Sequence, residues 1–154
     1  MKIAKYETQD ESNHLRYSFI SKGESEITKV IAYQKLSYAI DIPTKGSLTA
    51  YNLAFGDKIG DTQEIDDKAD SNNGDMRMAF NTVLYTIPTF FSIYSDTCVV
   101  VQGSDERRKR AYSNFVTRNY ETLIRDYMFF GVTGTIFTPF IKGTVYDQVV
   151  FLPK

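Results

Sequence analysis

The residues best placed for chemistry follow a short apolar run, Cys98 to Val101. Gly103 and Ser104 come next, and a strongly basic series with helical spacing begins a few residues later. A helix that starts directly after a buried strand offers free backbone N–H groups to an anion, and nearby arginines add positive charge. The predicted anion-binding or partner-binding residues are Gly103, Ser104, Arg107, Arg108, Arg110 and Arg118.

The same stretch has a plainer interpretation, which the sequence leaves open. Ser104 or Asp105 can cap the helix, and the acids at 105 and 106 suit the positive end of the helix dipole. Those acids would also repel an anion that docks there. On this interpretation Gly103 occupies positive φ in a turn, and the basic residues are a solvated helix face.

Carboxylates form a second candidate site. Asp57, Asp75 and Asp105 are possible metal ligands, with Asp66 and Asp67 as further candidates, because Mg²⁺ prefers several converging oxygen ligands. Such a site would predict a metal-dependent nuclease or phosphoryl-transfer enzyme of ribonuclease H-like fold. Those enzymes carry a carboxylate in the middle of their first strand, whereas the predicted strand here, 15–20, has none. One Cys and one His, Cys98 and His14, exclude a tetrahedral zinc site within one chain.

Composition limits the classes of function. The 154 residues carry a net charge of −1, with 18 basic and 19 acidic residues, so no global field favours nucleic acid or an anionic membrane. No apolar run reaches the roughly 20 residues that span a bilayer, and no signal-peptide core is present. We therefore expect a cytoplasmic protein with no membrane association, folded as a single domain over 1–154.

The first third of the chain reads as strands. Leu15, Tyr17 and Phe19 alternate with polar residues, a second strand follows at 27–33, and a third at 48–55. These make an antiparallel three-stranded meander, with a loop around Pro43 and Gly46. Residues 1–13 are expected to be loose, and the acid-rich stretch 56–75 is expected to be a solvated loop.

Two helices surround the central strand at 98–101. The first is expected from Met76 to a kink or end near Ile87, because Pro88 lacks an N–H, with a second short piece to Tyr94. The second is expected from Asp105 to about Asp126, followed by C-terminal strands. The predicted core residues are Phe80, Val83, Leu84, Val99, Val101, Val116 and Leu123.

The resulting fold class is α+β: meander, helix, central strand, long helix and C-terminal strands. A strand that is entered and left through helices most simply lies parallel to a neighbour. The ribonuclease H-like topology has this order of elements and is our leading topology by analogy.

Three motifs carry a resemblance to a known family. They are Tyr51-Asn52-Leu53-Ala54-Phe55-Gly56-Asp57, Asn73-Gly74-Asp75, and Gly103-Ser104-Asp105 followed by Arg107-Arg108. With these motifs the chain, from about Ile27 to Leu152, resembles a family of small uncharacterised bacterial domains of Bacteroidetes type. The resemblance implies a compact cytoplasmic domain, and it implies no activity.

The function favoured by the sequence is therefore a non-enzymatic binding or regulatory domain. Its recognition surface would combine the acidic stretch 56–75 with the basic face of the last helix. The expected partner is a protein or a phosphate-containing ligand, with nucleic acid compatible but less favoured. We expect no cofactor. The strands between Phe129 and Leu152 could also offer an edge for a homodimer.

Overall fold

The computed structural model describes residues 5–61, 64–66 and 76–154. These residues divide into two compact units, one with the residues up to Gln34 together with Ala54–Ser95, the other with Lys35–Leu53 and Asp96–Lys154. The elements in chain order are β1 (Gln9–Asp10), β2 (Arg16–Lys22), β3 (Glu26–Ile42), β4 (Gly46–Lys58), β5 (Ile65–Asp66), α1 (Met76–Ile93), β6 (Thr97–Gln102), α2 (Glu106–Arg118), α3 (Tyr120–Leu123), β7 (Tyr127–Thr133), β8 (Ile136–Pro139) and β9 (Gln148–Pro153).

The first unit contains the start of the predicted meander. β2 pairs antiparallel with both β1 and β3, and the end of β4 pairs antiparallel with β5. The alternation that predicted β2 is confirmed, since Tyr17 and Phe19 are buried while Ile20 is exposed. Of the predicted acidic loop, residues 56–58 belong to β4 and 65–66 to β5. Residues 62–63 and 67–75 lie outside the described part of the chain.

Helix α1 continues past Pro88 to Ile93, so the predicted end near Ile87 is wrong. Proline removes one intrahelical hydrogen bond, but its fixed φ is itself helical. Phe90 and Phe91, both buried, follow the proline and pack at 5.3 Å between ring centroids. Burial of these two rings stabilises the last turns enough to offset the lost hydrogen bond.

The buried side of α1 also differs from the predicted one. Phe80, Val83 and Leu84 are only half-buried, whereas Thr82, Thr86 and Phe90 are fully buried. The Tyr33 ring stacks on Phe90 at 4.3 Å, and its hydroxyl lies 2.7 Å from Thr86 Oγ1. The Tyr6 N–H donates to Thr82 Oγ1 at 2.9 Å. Threonine was counted as polar in the sequence pattern, but each hydroxyl here has a hydrogen-bond partner and so can be buried.

The second unit holds the rest of the sheet, in the order β3, β4, β6, β9, β7, β8. β4 and β6 are parallel, which confirms the prediction for the central strand, while β6–β9, β9–β7 and β7–β8 are antiparallel. β3 continues through 36–42, beyond the predicted strand at 27–33, and the alternating Leu36, Ile40 and Ile42 of this part pack against or within the sheet cluster. The predicted loop follows directly, with Thr44 and Gly46 at positive φ.

Two apolar clusters stabilise this unit. The first lies on the sheet and contains buried Ile42, Ala50, Cys98, Val100, Phe130, Val150 and Leu152. Burial raises the pKa of the Cys98 thiol to about 11, as expected for an inert core cysteine. Val99 and Val116 are buried as predicted, whereas Val101 and Leu123 are only half-buried.

The second cluster contains Val116, Phe140, Tyr146 and Val149, so it joins α2 to β9 and to the segment before it. The Ser113 hydroxyl, fully buried, accepts the Tyr146 N–H at 2.9 Å. The predicted helix to Asp126 is too long, because α2 ends at Arg118 and a separate short α3 follows. The Asn119 side-chain amide donates to the Phe115 carbonyl at 2.8 Å, in competition with continuation of the helix.

Candidate functional site

The candidate site begins where β6 leads into α2. Asp105 is the N-cap: its backbone is extended, with φ −150°, and its Oδ1 accepts the Arg108 N–H at 2.9 Å. This backbone hydrogen bond is the main reason that the pKa of Asp105 is lowered. The predicted cap is therefore confirmed. The carboxylate occupies the place at the helix start where an external anion would dock.

Gly103 is required here for space. Its φ is not positive, contrary to our expectation. A β-carbon on Gly103 would lie 2.5 Å from the backbone nitrogen of Lys109, well inside contact distance. The glycine therefore lets the first turn of α2 pass close to the chain that leaves β6. Its own N–H donates to the Asp147 carbonyl at 3.4 Å.

Two of the basic residues at the start of α2 form ion pairs within the unit. Arg108 Nη1 lies 2.6 Å from Asp105 Oδ2. Lys109 Nζ lies 3.2 Å from Asp147 Oδ1 and 3.3 Å from Glu106 Oε1, and the hydrogen bond to Asp147 is the main cause of the raised pKa of Lys109. These contacts place Arg108, a predicted binding residue, against the N-cap carboxylate.

The other predicted arginines lie together on the solvent side of α2. Arg107, Arg110 and Arg118 are exposed, with exposed Asn114 between them. At 100° per residue these four positions fall within one arc of about 80°. The helix has five basic residues and one acidic residue, Glu106. Of the predicted basic residues, Arg107, Arg110 and Arg118 thus share one exposed side of α2, and we call them the basic stripe.

The acidic residue nearest in sequence to the end of this stripe, Glu121, is paired with a lysine. Glu121 belongs to α3, and its Oε1 accepts a hydrogen bond from Lys142 Nζ at 2.8 Å. The same contact is the main cause of the raised pKa of Lys142. Ser104, the remaining predicted residue of the site, is exposed beside the N-cap.

The possible metal ligands are placed as follows. Asp57 lies on β4 directly opposite Asp66 on β5, and its Oδ1 pairs with Lys29 Nζ at 2.5 Å. Asp105 is the N-cap of α2, whereas Asp67 and Asp75 lie outside the described residues. Within residues 5–61, 64–66 and 76–154, no three His, Cys, Asp or Glu side chains are grouped closely enough to hold a metal ion.

One constellation was missed by the sequence interpretation. His14 Nδ1 lies 2.8 Å from the Tyr17 hydroxyl and 3.1 Å from Asp10 Oδ2. Burial, with a smaller contribution from the Asp10 charge, raises the pKa of Tyr17 to about 12. The spacing of Asp10, His14 and Tyr17 was the available signal. Positive φ at Asn13 and His14, which no pattern predicts, brings the three side chains together.

Tyrosine rings can bind nucleic acid by stacking on its bases, but three tyrosines of this chain have structural roles. Tyr51 is buried, Tyr112 is half-buried, and Tyr120 stacks on Phe140 with 6.2 Å between centroids. Their rings pack within the protein, so packing accounts for them better than base stacking does.

Fold and site together define an α+β protein whose exposed basic helix face is its most distinctive polar feature. Residues 2–154 match the model of a family of unknown function, DUF6934. The chain belongs to that family. Neither the curated proteins nor the solved structures contain a significant match to it. Among the described helices, none combines the length and the apolar character needed to cross a membrane.

Proposed function

We propose that this protein is a non-enzymatic binding domain that recognises an acidic segment of a partner protein through the basic stripe of α2. The observation that carries the proposal is the exposure of Arg107, Arg110 and Arg118 along one side of a helix with five basic residues and one acidic residue. Guanidinium groups bind carboxylates in bidentate geometry, which gives both affinity and orientation.

The geometry favours an extended anionic partner over a single phosphate. Arg107 and Arg118 are separated by roughly 16 Å along the helix axis, at 1.5 Å per residue, so one phosphate cannot contact both. The helix N-terminus already has its own anion in Asp105, and the Lys109 ammonium group contacts Glu106 and Asp147. A segment with several carboxylates at intervals of one or two helical turns matches the stripe best.

The acidic stretch 56–75 remains a second predicted part of the recognition surface. Most of it lies outside the described residues, and its described part includes Asp57, Asp61 and Glu64. Such a stretch would repel acidic ligands that approach it, and so would favour partners with an uneven charge distribution.

The test measures binding of a fluorescent polyglutamate peptide by anisotropy at about 20 mM salt and at physiological salt, with duplex DNA and tripolyphosphate as alternative probes. The test variant combines Arg107→Gln, Arg110→Gln and Arg118→Gln. The control combines Lys22→Gln, Lys35→Gln and Lys45→Gln, three exposed lysines whose loss changes net charge equally. We expect the test variant to lose about tenfold or more in peptide affinity and the control less than about twofold.

Three outcomes contradict the proposal: no binding of the peptide even at low salt, equal loss in both variants, or tighter binding of duplex DNA. In the last case the salt slope should flatten by roughly three units in the test variant, which indicates contacts to phosphates. A melting temperature that rises with Mg²⁺ or Mn²⁺ would instead favour the metal-dependent nuclease.

A further inference from the structure

Strand β8 lies at one end of the sheet order of the second unit, and its outer edge is suited to pairing with another strand. β8 pairs with β7, and no other described strand pairs with it. Exposed strand edges are usually protected by charged side chains. The stretch 131–141 has no charged residue, and Ile136 and Ile141 are exposed by 64% and 63%.

The register shows which backbone groups face this edge. The Phe140 N–H donates to the Phe129 carbonyl at 3.0 Å, so this pair is a hydrogen-bonded one. Bonded and non-bonded pairs alternate along an antiparallel ladder. Thr138 and Ile136, opposite Gly131 and Thr133, therefore direct their backbone groups to β7. Phe137 and Pro139 direct theirs to the outer edge, where proline contributes only a carbonyl.

We propose that β8 pairs antiparallel with β8 of a second copy of this chain, about a twofold axis that passes beside Phe137. In this register each Phe137 N–H donates to the Phe137 carbonyl of the other copy. Thr135, a residue of the β7–β8 turn, faces Pro139 of the other copy, whose carbonyl already accepts the Thr138 hydroxyl at 3.2 Å, so the Phe137 pair supplies the hydrogen bonds of this ladder. Pro139 has no N–H, and in this register it lies at the outer end of the ladder. The carbonyl of the other copy that faces it can there accept a hydrogen bond from water.

Pro139 restricts the register in which β8 can pair, because it offers no N–H at the outer edge. An axis moved to Pro139 would set two prolines opposite each other with no N–H between them. An axis moved to Thr135 would place the β7–β8 turn, where Gly134 has φ +59°, inside the ladder. Among the positions whose backbone groups face the outer edge, Phe137 is therefore the one about which two copies of the strand can pair. Because no charge lies on the strand, self-pairing brings no like charges together.

Side chains on the exposed face support the same arrangement. Ile136 of each copy lies opposite Thr138 of the other copy. These two contacts cover apolar surface that is exposed in the single chain. The Phe137 ring stays within its own unit, stacked on Phe130 at 5.0 Å. An interface of a few strand residues falls below the size of stable complexes, so a weak, reversible dimer is expected.

Analytical ultracentrifugation of the full chain tests this proposal from about 10 µM to about 1 mM, the range in which weak complexes dissociate. We expect the average mass to rise towards that of a dimer. Ile136→Lys should keep the chain monomeric, because two ammonium groups are added close to the axis. Ile20→Lys is the matched control, since Ile20 is also exposed on a strand, but that strand is β2 of the first unit; this variant should dimerise like the native chain.

A mixture of two variants tests the register itself. Thr138→Glu alone should also be monomeric, but mixed with Ile136→Lys it should give heterodimers, because residue 136 of one copy faces residue 138 of the other. A native chain that stays monomeric at about 1 mM would overturn the proposal. So would undiminished dimerisation of Ile136→Lys, equal loss in Ile20→Lys, or a mixture that remains monomeric.

Discussion

The Lys29 ammonium group lies 2.5 Å from Asp57 Oδ1, with 8% of the Lys29 side chain exposed. Asp57 on β4 faces Asp66 on β5. The positive charge of Lys29 therefore reduces the repulsion between these two carboxylates, and its ion pair with Asp57 also offsets the cost of burying the lysine. The lysine ammonium also lies 5.9 Å from the centre of the Phe55 ring. The ion pair of Lys29 with Asp57 thus compensates negative charge at the end of β4.

Lys29→Met should therefore destabilise the protein by about 3 kcal/mol, because it removes one partner of a largely buried ion pair and leaves the Asp57 carboxylate without the lysine. Urea denaturation measures the loss. Lys35→Met, at an exposed position, is the control and should stay within about 0.5 kcal/mol of the native value. The double variant Lys29→Met with Asp57→Leu should recover most of the stability. A loss below about 1 kcal/mol in the single variant would contradict this assignment.

Gly103→Ala should destabilise the protein by about 2 kcal/mol, because the new β-carbon meets backbone atoms of Lys109 that cannot move aside without shifting α2. Ser104→Ala changes an exposed neighbour and should stay within about 0.5 kcal/mol. Chemical denaturation monitored by circular dichroism checks both values. If the two variants were equally stable, the close approach of α2 to residue 103 would be wrong.

Alkaline pH should weaken the fold. Folding raises the pKa of Cys98 from 9.0 to about 11 and that of Tyr17 from 10.0 to about 12. The folded chain therefore holds more protons than the unfolded chain in this range, and the free energy of unfolding must fall as pH rises. The contribution of each group is fully present below its unfolded pKa and is lost as pH rises through its folded pKa.

Urea denaturation at several values between about pH 8 and pH 12 measures this fall. Tyr17→Phe should reduce the slope above about pH 10, where only the tyrosine of the unfolded chain would ionise. Tyr38→Phe is the control, because Tyr38 is 55% exposed, and its slope should match that of the native chain. Identical slopes in the two variants would show that Tyr17 does not resist ionisation in the folded state.

The buried side of α1 can be tested with two truncations. Phe90→Ala should cost about 3 to 5 kcal/mol, because Phe90 is fully buried and stacks on Tyr33. Leu84→Ala, at a position predicted from sequence to be core but half-buried in the structure, should cost only about 1 kcal/mol. A larger loss of stability for Leu84→Ala than for Phe90→Ala would instead support the helix orientation that the apolar pattern predicted.

Local patterns predicted the elements that have a single strong signal. The alternation of apolar and polar residues predicted β2, the run of valines predicted β6, and Asp105 predicted the start of α2. The pattern failed where burial depends on a partner from elsewhere in the chain. Thr82 and Thr86 are buried because Tyr6 and Tyr33 meet their hydroxyls, and no property of α1 alone reveals this.

The candidate site shows the same limit. The exposed arginines of α2 follow from helical spacing alone. The pairing of Lys109 with Asp147 depends on β6 and β9 being neighbours in the sheet, a long-range contact that no local pattern contains. For the same reason, the sequence could not show that Lys142 forms an ion pair with Glu121.

The buried thiol of Cys98 gives this protein an internal reporter of its own motion. It is the single cysteine of the chain, has no exposed surface, and lies on β6 between β4 and β9. A thiol reagent can therefore react only when this part of the sheet opens, so its labelling rate measures the free energy of that opening under native conditions. Labelling needs no mutation, and it would follow the sheet of the second unit while a ligand or a second chain is added.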